Sequence, residues 1–115
     1  MKIAVVGLGR MGMQIARKLS EAGHEVIGYD LNEAFVQKAV EYGAKAARSR
    51  DEIIAAFGGD QAVIWLMIPA NHVDEELDKW LEVLPKGSIL IDGGNSDYRL
   101  TRERAKRVAD AGLRL

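Results

Sequence analysis

An α/β fold with a doubly wound parallel sheet is what this 115-residue sequence predicts, on three observations. Short apolar runs alternate with segments of helical period along the chain. A glycine (Gly23, Gly43, Gly59, Gly87 or Gly112) stands between nearly every helical segment and the next apolar run, where a left-handed residue can close the last helical turn. The runs Ala62-Val63-Ile64-Trp65-Leu66-Met67-Ile68 and Ser88-Ile89-Leu90-Ile91 are continuous, which suits strands covered by helices on both faces.

The elements follow in order. Lys2-Ile3-Ala4-Val5-Val6 predicts a strand over 2–6, and a helix over 10–22 follows with Ile15 and Leu19 on its apolar stripe. A strand over 25–29 leads to a helix over 33–42, striped by Val36, Ala39 and Val40, and then to a short strand over 44–47. A helix over 50–57 precedes a strand over 61–67, in which Trp65 is expected in the core. The next helix, 72–83, carries Val73, Leu77, Trp80, Leu81 and Leu84 toward the sheet, with Asp74, Glu75, Glu76 and Asp78 expected in solvent on its first turns, where the helix dipole favours acids. A strand over 88–91 and a helix over 97–111, with Ala105, Val108 and Ala109 on one side, complete the pattern, and Leu113-Arg114-Leu115 reads as the opening of another strand. The whole is expected to form one domain, residues 1–115.

Composition narrows the function. Sixteen basic and seventeen acidic residues nearly cancel, and the one stretch rich in arginine, Arg99 to Arg107, also holds Glu103, so neither nucleic acid nor a membrane surface is an expected partner. With no cysteine there is no disulfide or thiol chemistry. The two histidines, His24 and His72, lie far apart with no second ligand at metal spacing, so no metal is expected; His24 reads as a surface turn residue and His72 as a helix-start residue. The apolar amino end is broken by Gly7 and Gly9 and followed by charge, unlike a secretory or membrane segment, so a soluble cytoplasmic protein is expected.

The chemistry concentrates in Gly7-Leu8-Gly9-Arg10-Met11-Gly12, placed between a strand and a helix. A pyrophosphate must approach the backbone closely. Gly7 permits the tight turn, Gly9 the approach, and Gly12 the contact between helix and strand, while the helix starting near Arg10 offers unpaired N–H groups and the positive end of its dipole. Eighteen positions after Gly12, Asp30 ends the second strand, where an acid can accept from the adenosine ribose. This is the pattern of a Rossmann-like dinucleotide-binding fold. A carboxylate there would repel a 2′-phosphate, and the adjacent Leu31 and Asn32 supply no arginine to neutralise one, so NAD is expected over NADP; Arg10 and Arg48 are the cations that could reach it. Met11 and Met67 flank the expected crevice, with gap filling the commoner use of such side chains.

A second constellation, Asp92-Gly93-Gly94-Asn95-Ser96, follows the fifth main strand, with Tyr98 and Thr101 beyond it. Loops at the carboxyl ends of parallel strands face the ligand crevice. The glycines let the backbone pass close to a ligand, Asn95 can donate and accept, and Ser96 can cap a helix.

With both motifs in order, the chain resembles the amino-terminal domain of the 6-phosphogluconate dehydrogenases. The resemblance runs the full length and includes Ala22-Gly23-His24-Glu25-Val26 and Met67-Ile68-Pro69-Ala70. It implies oxidation and decarboxylation of 6-phosphogluconate to ribulose 5-phosphate in the full enzyme, a step of the pentose phosphate route. It places Asn95 beside nicotinamide and substrate, and Pro69-Ala70-Asn71, after Met67 and Ile68, along the cofactor. Asp30-Leu31-Asn32 stands where NADP-using members show Asn-Arg-Thr, which favours NAD. Asn71 replaces an expected glycine, and its tolerance of left-handed backbone is expected to keep that turn.

The family's substrate loop and helical domain, with its catalytic lysine and glutamate, have no counterpart before Leu115. The 115 residues are therefore expected to bind the dinucleotide without turnover, to meet 6-phosphogluconate only in the full-length enzyme, and to offer a surface for self-association. Two other readings stand beside this one. The first is the cofactor domain of a 3-hydroxyacid dehydrogenase of the 3-hydroxyisobutyrate type, whose loop after the fifth strand usually carries Ser-Thr. The second is an engineered binding or self-associating module without catalysis.

Overall fold

The computed structural model describes residues 2–58, 61–67, 70–85 and 87–92. Among them, strands β1 (Lys2–Val6), β2 (Glu25–Tyr29), β3 (Lys45–Ala46), β4 (Val63–Leu66) and β5 (Ile89–Asp92) form one sheet in the order β3-β2-β1-β4-β5. Every pairing is parallel. A parallel neighbour must be reached by a crossover. The crossovers are α1 (Arg10–Glu21), α2 (Glu33–Glu41), α3 (Arg50–Ala56) and α4 (Ala70–Val83). The doubly wound α/β architecture expected from the sequence is the one observed.

Two cores flank the sheet. On one face Ala4, Val6, Ile27, Tyr29, Ile64, Leu66 and Leu90 meet Ile53 and Phe57 beside α3 and Trp80 and Leu84 beside α4. On the other, Val5 and Val26 meet Ala16 of α1 and Val36 and Ala39 of α2, with Ile15, Leu19 and Met67 packed at the margin. The interior of β1 is thus buried on both sides, as its unbroken apolar run requires. Trp65 departs from expectation. The register pairs it with Val5 on one side and Ile91 on the other. It therefore shares the face that α1 and α2 cover over β1 and β2, and it is only half-buried.

Several boundaries and faces also differ. The strand expected over 44–47 contracts to two residues, the strand over 61–67 to Val63–Leu66, and Asp92 belongs to β5 and not to the loop beyond it. Helices α1 to α3 each end one residue before the expected limit. Gly23 and Gly43 close α1 and α2 with φ of 91° and 105°, but after α3 the positive φ falls at Gly58. Gly59, Gly112, the helix over 97–111 and Leu113-Arg114-Leu115 lie outside the described residues. Val40 sits on the flank of its stripe and is 40% exposed.

The acidic run of α4 is corrected more substantially. The helix starts at Ala70, two residues earlier than expected, so the acids fall beyond its first turn. A proline before a helix has no N–H to satisfy and a φ already suited to helix entry, which allows α4 to begin directly behind Pro69. Glu76 is not a solvated residue: both its carboxylate oxygens accept from Arg50 Nη2, at 2.7 and 2.8 Å, in a half-buried pair that ties α3 to α4. The guanidinium also lies 5.9 Å from the Trp80 ring centre, within cation–π range. Glu75 and Asp78 are exposed, and the Asp74 side chain lies outside the described residues.

Trp80 is fully buried against the sheet, as its position on the stripe predicts. Replacing Trp80 with alanine leaves a large void and removes the apolar surface beneath Arg50. The expected cost is about 3–5 kcal/mol, read as a lowered urea midpoint with an unchanged slope.

Candidate functional site

The register sets the carboxyl ends of the strands level, with Val6 beside Tyr29 on one side and Leu66 on the other, and Leu66 beside Asp92. Two backbone bonds carry the ladder one step further: the Gly7 N–H donates to the Tyr29 carbonyl at 2.9 Å, and the Met67 N–H to the Val6 carbonyl at 2.7 Å. Chain order reverses at β1, which lies between β2 and β4. In open α/β sheets that reversal opens a crevice at the carboxyl ends of the strands.

The glycine turn is built to keep side chains out of this crevice. Gly7 has φ of 97°, a backbone state that costs an ordinary residue about 1–2 kcal/mol. A Cβ on Gly12 would lie 1.9 Å from the Gly7 carbonyl oxygen and 3.3 Å from Cβ of Met67, so α1 can start hard against β1 only with hydrogen at that position. Leu8 between them is buried and reaches the β2 backbone, its Cδ1 standing 3.2 Å from where a Cβ on Gly28 would be. At Gly9 a Cβ would meet nothing within 4 Å. The space in front of that residue is open, as required of a position that a ligand must approach.

The starts of α1, α2 and α3 differ from one another. At α2 the Asn32 side chain accepts from the Ala34 N–H at 3.0 Å. At α3 the Ser49 hydroxyl accepts from the Glu52 N–H at 3.1 Å, and Glu52 reaches back to the Arg48 N–H. Helix α1 follows Gly9 with no side-chain cap and no acid in its first turn. Its leading amides and dipole are thus left for an external anion. Arg10 and Met11 are exposed at this end, Met11 at 65%.

Asp30 lies at the adjoining strand end, half-buried. Its Oδ2 accepts from the Leu8 N–H at 2.7 Å and its Oδ1 from the Asn32 N–H at 2.8 Å. Sequence reasoning placed an acid here for a ribose but missed that this acid also bridges the glycine turn and the entry to α2. The signal was indirect: Leu8 follows a glycine turn and needs an acceptor that the turn cannot supply. An ionised carboxylate has about four lone-pair sites, so two backbone donors leave room for hydroxyls. Leu31, 92% exposed, stands beside it. Arg48 is engaged elsewhere, its Nη2 2.8 Å from Glu33, and hydrogen bonds from Gln37 and then Arg48 hold the Glu33 carboxyl below its usual range.

Met67 is half-buried and packed against the α1 face, which agrees with a gap-filling role. Ala70 and Asn71 form the first turn of α4 and not a loop. No described residue other than glycine has positive φ, so the left-handed turn expected at Asn71 is not formed. His72 also lies in this turn, its side chain outside the described residues. His24 sits in the turn after α1, its N–H donating to the Leu19 carbonyl at 3.0 Å. Ile68, Pro69, Asn95 and the rest of the loop after Asp92 lie outside the described residues. Among the described residues no helix is long and apolar enough to cross a membrane, and no group of three His, Cys, Asp or Glu side chains could hold a metal.

An uncapped helix start behind a glycine turn, at the point of chain reversal and beside a strand-end acid, defines a dinucleotide-binding domain. Residues 2–115 match the NAD binding domain of 6-phosphogluconate dehydrogenase, and the chain belongs to that family. YqeC of Bacillus subtilis, a protein named as a 6-phosphogluconate dehydrogenase, is 34% identical over 113 residues. The NAD(+)-dependent, decarboxylating 6-phosphogluconate dehydrogenase of Haloferax volcanii is 38% identical over 114 residues. Each alignment covers 98% of this chain, which spans 38% of the length of either relative. Among solved structures, the 3-hydroxyisobutyrate dehydrogenase of Mycobacterium tuberculosis superposes with a TM-score of 0.85 at 24% identity, over 97% of this chain and 38% of that one, which shows the shared fold.

Two glycine substitutions separate packing from ligand approach. Gly12→Ala must displace backbone, so it is expected to lower stability by about 1–3 kcal/mol in thermal or urea unfolding and to weaken dinucleotide binding with it. Gly9→Ala is expected to fold with a change below about 1 kcal/mol while losing dinucleotide affinity in a calorimetric titration.

Proposed function

We propose that this chain is the cofactor-binding part of an NAD-dependent 6-phosphogluconate dehydrogenase. The uncapped start of α1, enclosed by Gly7, Gly9 and Gly12, is the observation that carries the reading. Its amides would hold the pyrophosphate, and the free lone pairs of Asp30 would accept from the adenosine ribose. When bound, the nicotinamide supplies the acceptor for a hydride. The chain's own part is to fix that ring at the carboxyl ends of β1 and β4 and to keep the diphosphate out of water. Asn95, two residues past the first glycine of its loop, is the residue we assign to orienting nicotinamide and substrate, and Met67 through Asn71 the segment along the cofactor.

The carboxylate at Asp30 supports NAD over NADP, because a 2′-phosphate would stand against a like charge while Arg48 is already paired with Glu33. The relatives from Bacillus subtilis and Haloferax volcanii, at 34% and 38% identity, support 6-phosphogluconate as the substrate of the whole enzyme, as does the loop Asp92-Gly93-Gly94-Asn95-Ser96. The fold shared with 3-hydroxyisobutyrate dehydrogenase keeps a 3-hydroxyacid substrate as the second reading.

Calorimetric titration should show NAD bound at least about tenfold more tightly than NADP, a difference of roughly 1.4 kcal/mol; equal or reversed affinities reject the role given to Asp30. For the substrate, the complete protein that carries this segment is expected to reduce NAD with 6-phosphogluconate. Turnover of 3-hydroxyisobutyrate alone would replace the first reading with the second.

A further inference from the structure

We infer that Asp30 is a positioning residue for the glycine turn, acting on the pyrophosphate site through the Leu8 amide. This rests on the reading that the turn grips the diphosphate. The Leu8 N–H lies in a turn set by the positive φ of Gly7, before the first residue of α1, and its hydrogen-bond partner is Asp30 Oδ2 at 2.7 Å, in a partly buried bond spanning twenty-two residues. The Leu8 side chain is buried, so this amide cannot swing out to water without pulling an apolar group from the core. The other oxygen holds the Asn32 N–H at 2.8 Å, and Asn32 in turn caps α2. One carboxylate therefore fixes both the floor of the glycine turn and the first residues of α2.

A hydrogen bond to a charged acceptor contributes more than a neutral one, and removing the acceptor leaves a partly buried donor unpaired. The turn should then sample conformations in which the α1 amides no longer converge on one point. It follows that the residue expected to choose between ribose and 2′-phosphate also holds the diphosphate cradle in shape. Exchanging Asp30 to admit NADP should thus weaken every dinucleotide, whatever its ribose carries.

The test uses Asp30→Ala and Asp30→Asn, with folding checked by far-ultraviolet circular dichroism, and the analogue of NAD that lacks both hydroxyls of the adenosine ribose. An acid that served only the ribose hydroxyls would leave affinity for this analogue the same in all three proteins. The positioning role predicts that Asp30→Ala weakens the analogue about tenfold, while Asp30→Asn, which keeps one acceptor oxygen, recovers part of the loss. In the ligand-free protein, hydrogen exchange at the Leu8 amide should accelerate about tenfold or more in Asp30→Ala. Unchanged analogue affinity in Asp30→Ala overturns the inference whatever the Leu8 exchange, and unchanged Leu8 exchange overturns it as well. If the wild type prefers NADP, the ribose assignment falls by itself, and the analogue's affinity with the Leu8 exchange still decides the positioning role.

Discussion

Between Gly12 and the carbonyl of Gly7 there is no room for a single carbon atom. The architecture of the ligand end follows from that contact. Because α1 can press against the end of β1, the intervening Leu8 is driven into the core, and the turn presents backbone to the crevice in place of side chains. Its neighbour Met67 closes the contact from the β4 side, where its own amide extends the ladder to Val6. A cradle for an anion thus results from close packing of two elements as much as from the glycines that face the ligand.

Of the three helices whose starts are described with their caps, two finish themselves and one does not. Asn32 and Ser49 satisfy the leading amides of α2 and α3 with their own side chains, while α1 lacks any such group. Self-capping suits helices whose task is to cover a sheet, and an open start suits one whose task is to receive charge. The same contrast appears in the ion pairs. Arg48 and Arg50 are each committed to a glutamate, Glu33 and Glu76, and serve to brace α2 and α4.

Much of this was legible in the sequence. The alternation of apolar runs and helical stripes, together with unbroken strands, specified a parallel sheet because each strand must be covered twice. The glycine spacing and Asp30 specified the site because close approach and a strand-end acid are local requirements. What escaped was contact between distant segments. Nothing in the spacing of Arg50 and Glu76 announces that they meet, since the meeting depends on how α3 and α4 lie across one sheet face. The partners of Asp30 escaped for the same reason, Leu8 being twenty-two residues away. Trp65 read as core because its strand is apolar throughout, yet its burial is decided by how far α1 and α2 extend across their face. At Asn71 a tolerance for left-handed backbone was mistaken for its use, when the proline two residues earlier already favoured helix.

The unfinished start of α1 also matters for stability. Until an anion arrives, water must solvate amides that the rest of the fold has aimed at one spot, so the ligand-free domain retains a weakness where α1 packs against the end of β1. Coenzyme that binds only the folded form repairs it by mass action, adding about 2.7 kcal/mol when its concentration is a hundred times the dissociation constant. The cell's pool of coenzyme would then act on this domain as a folding ligand, and its lifetime against proteolysis would rise and fall with that pool.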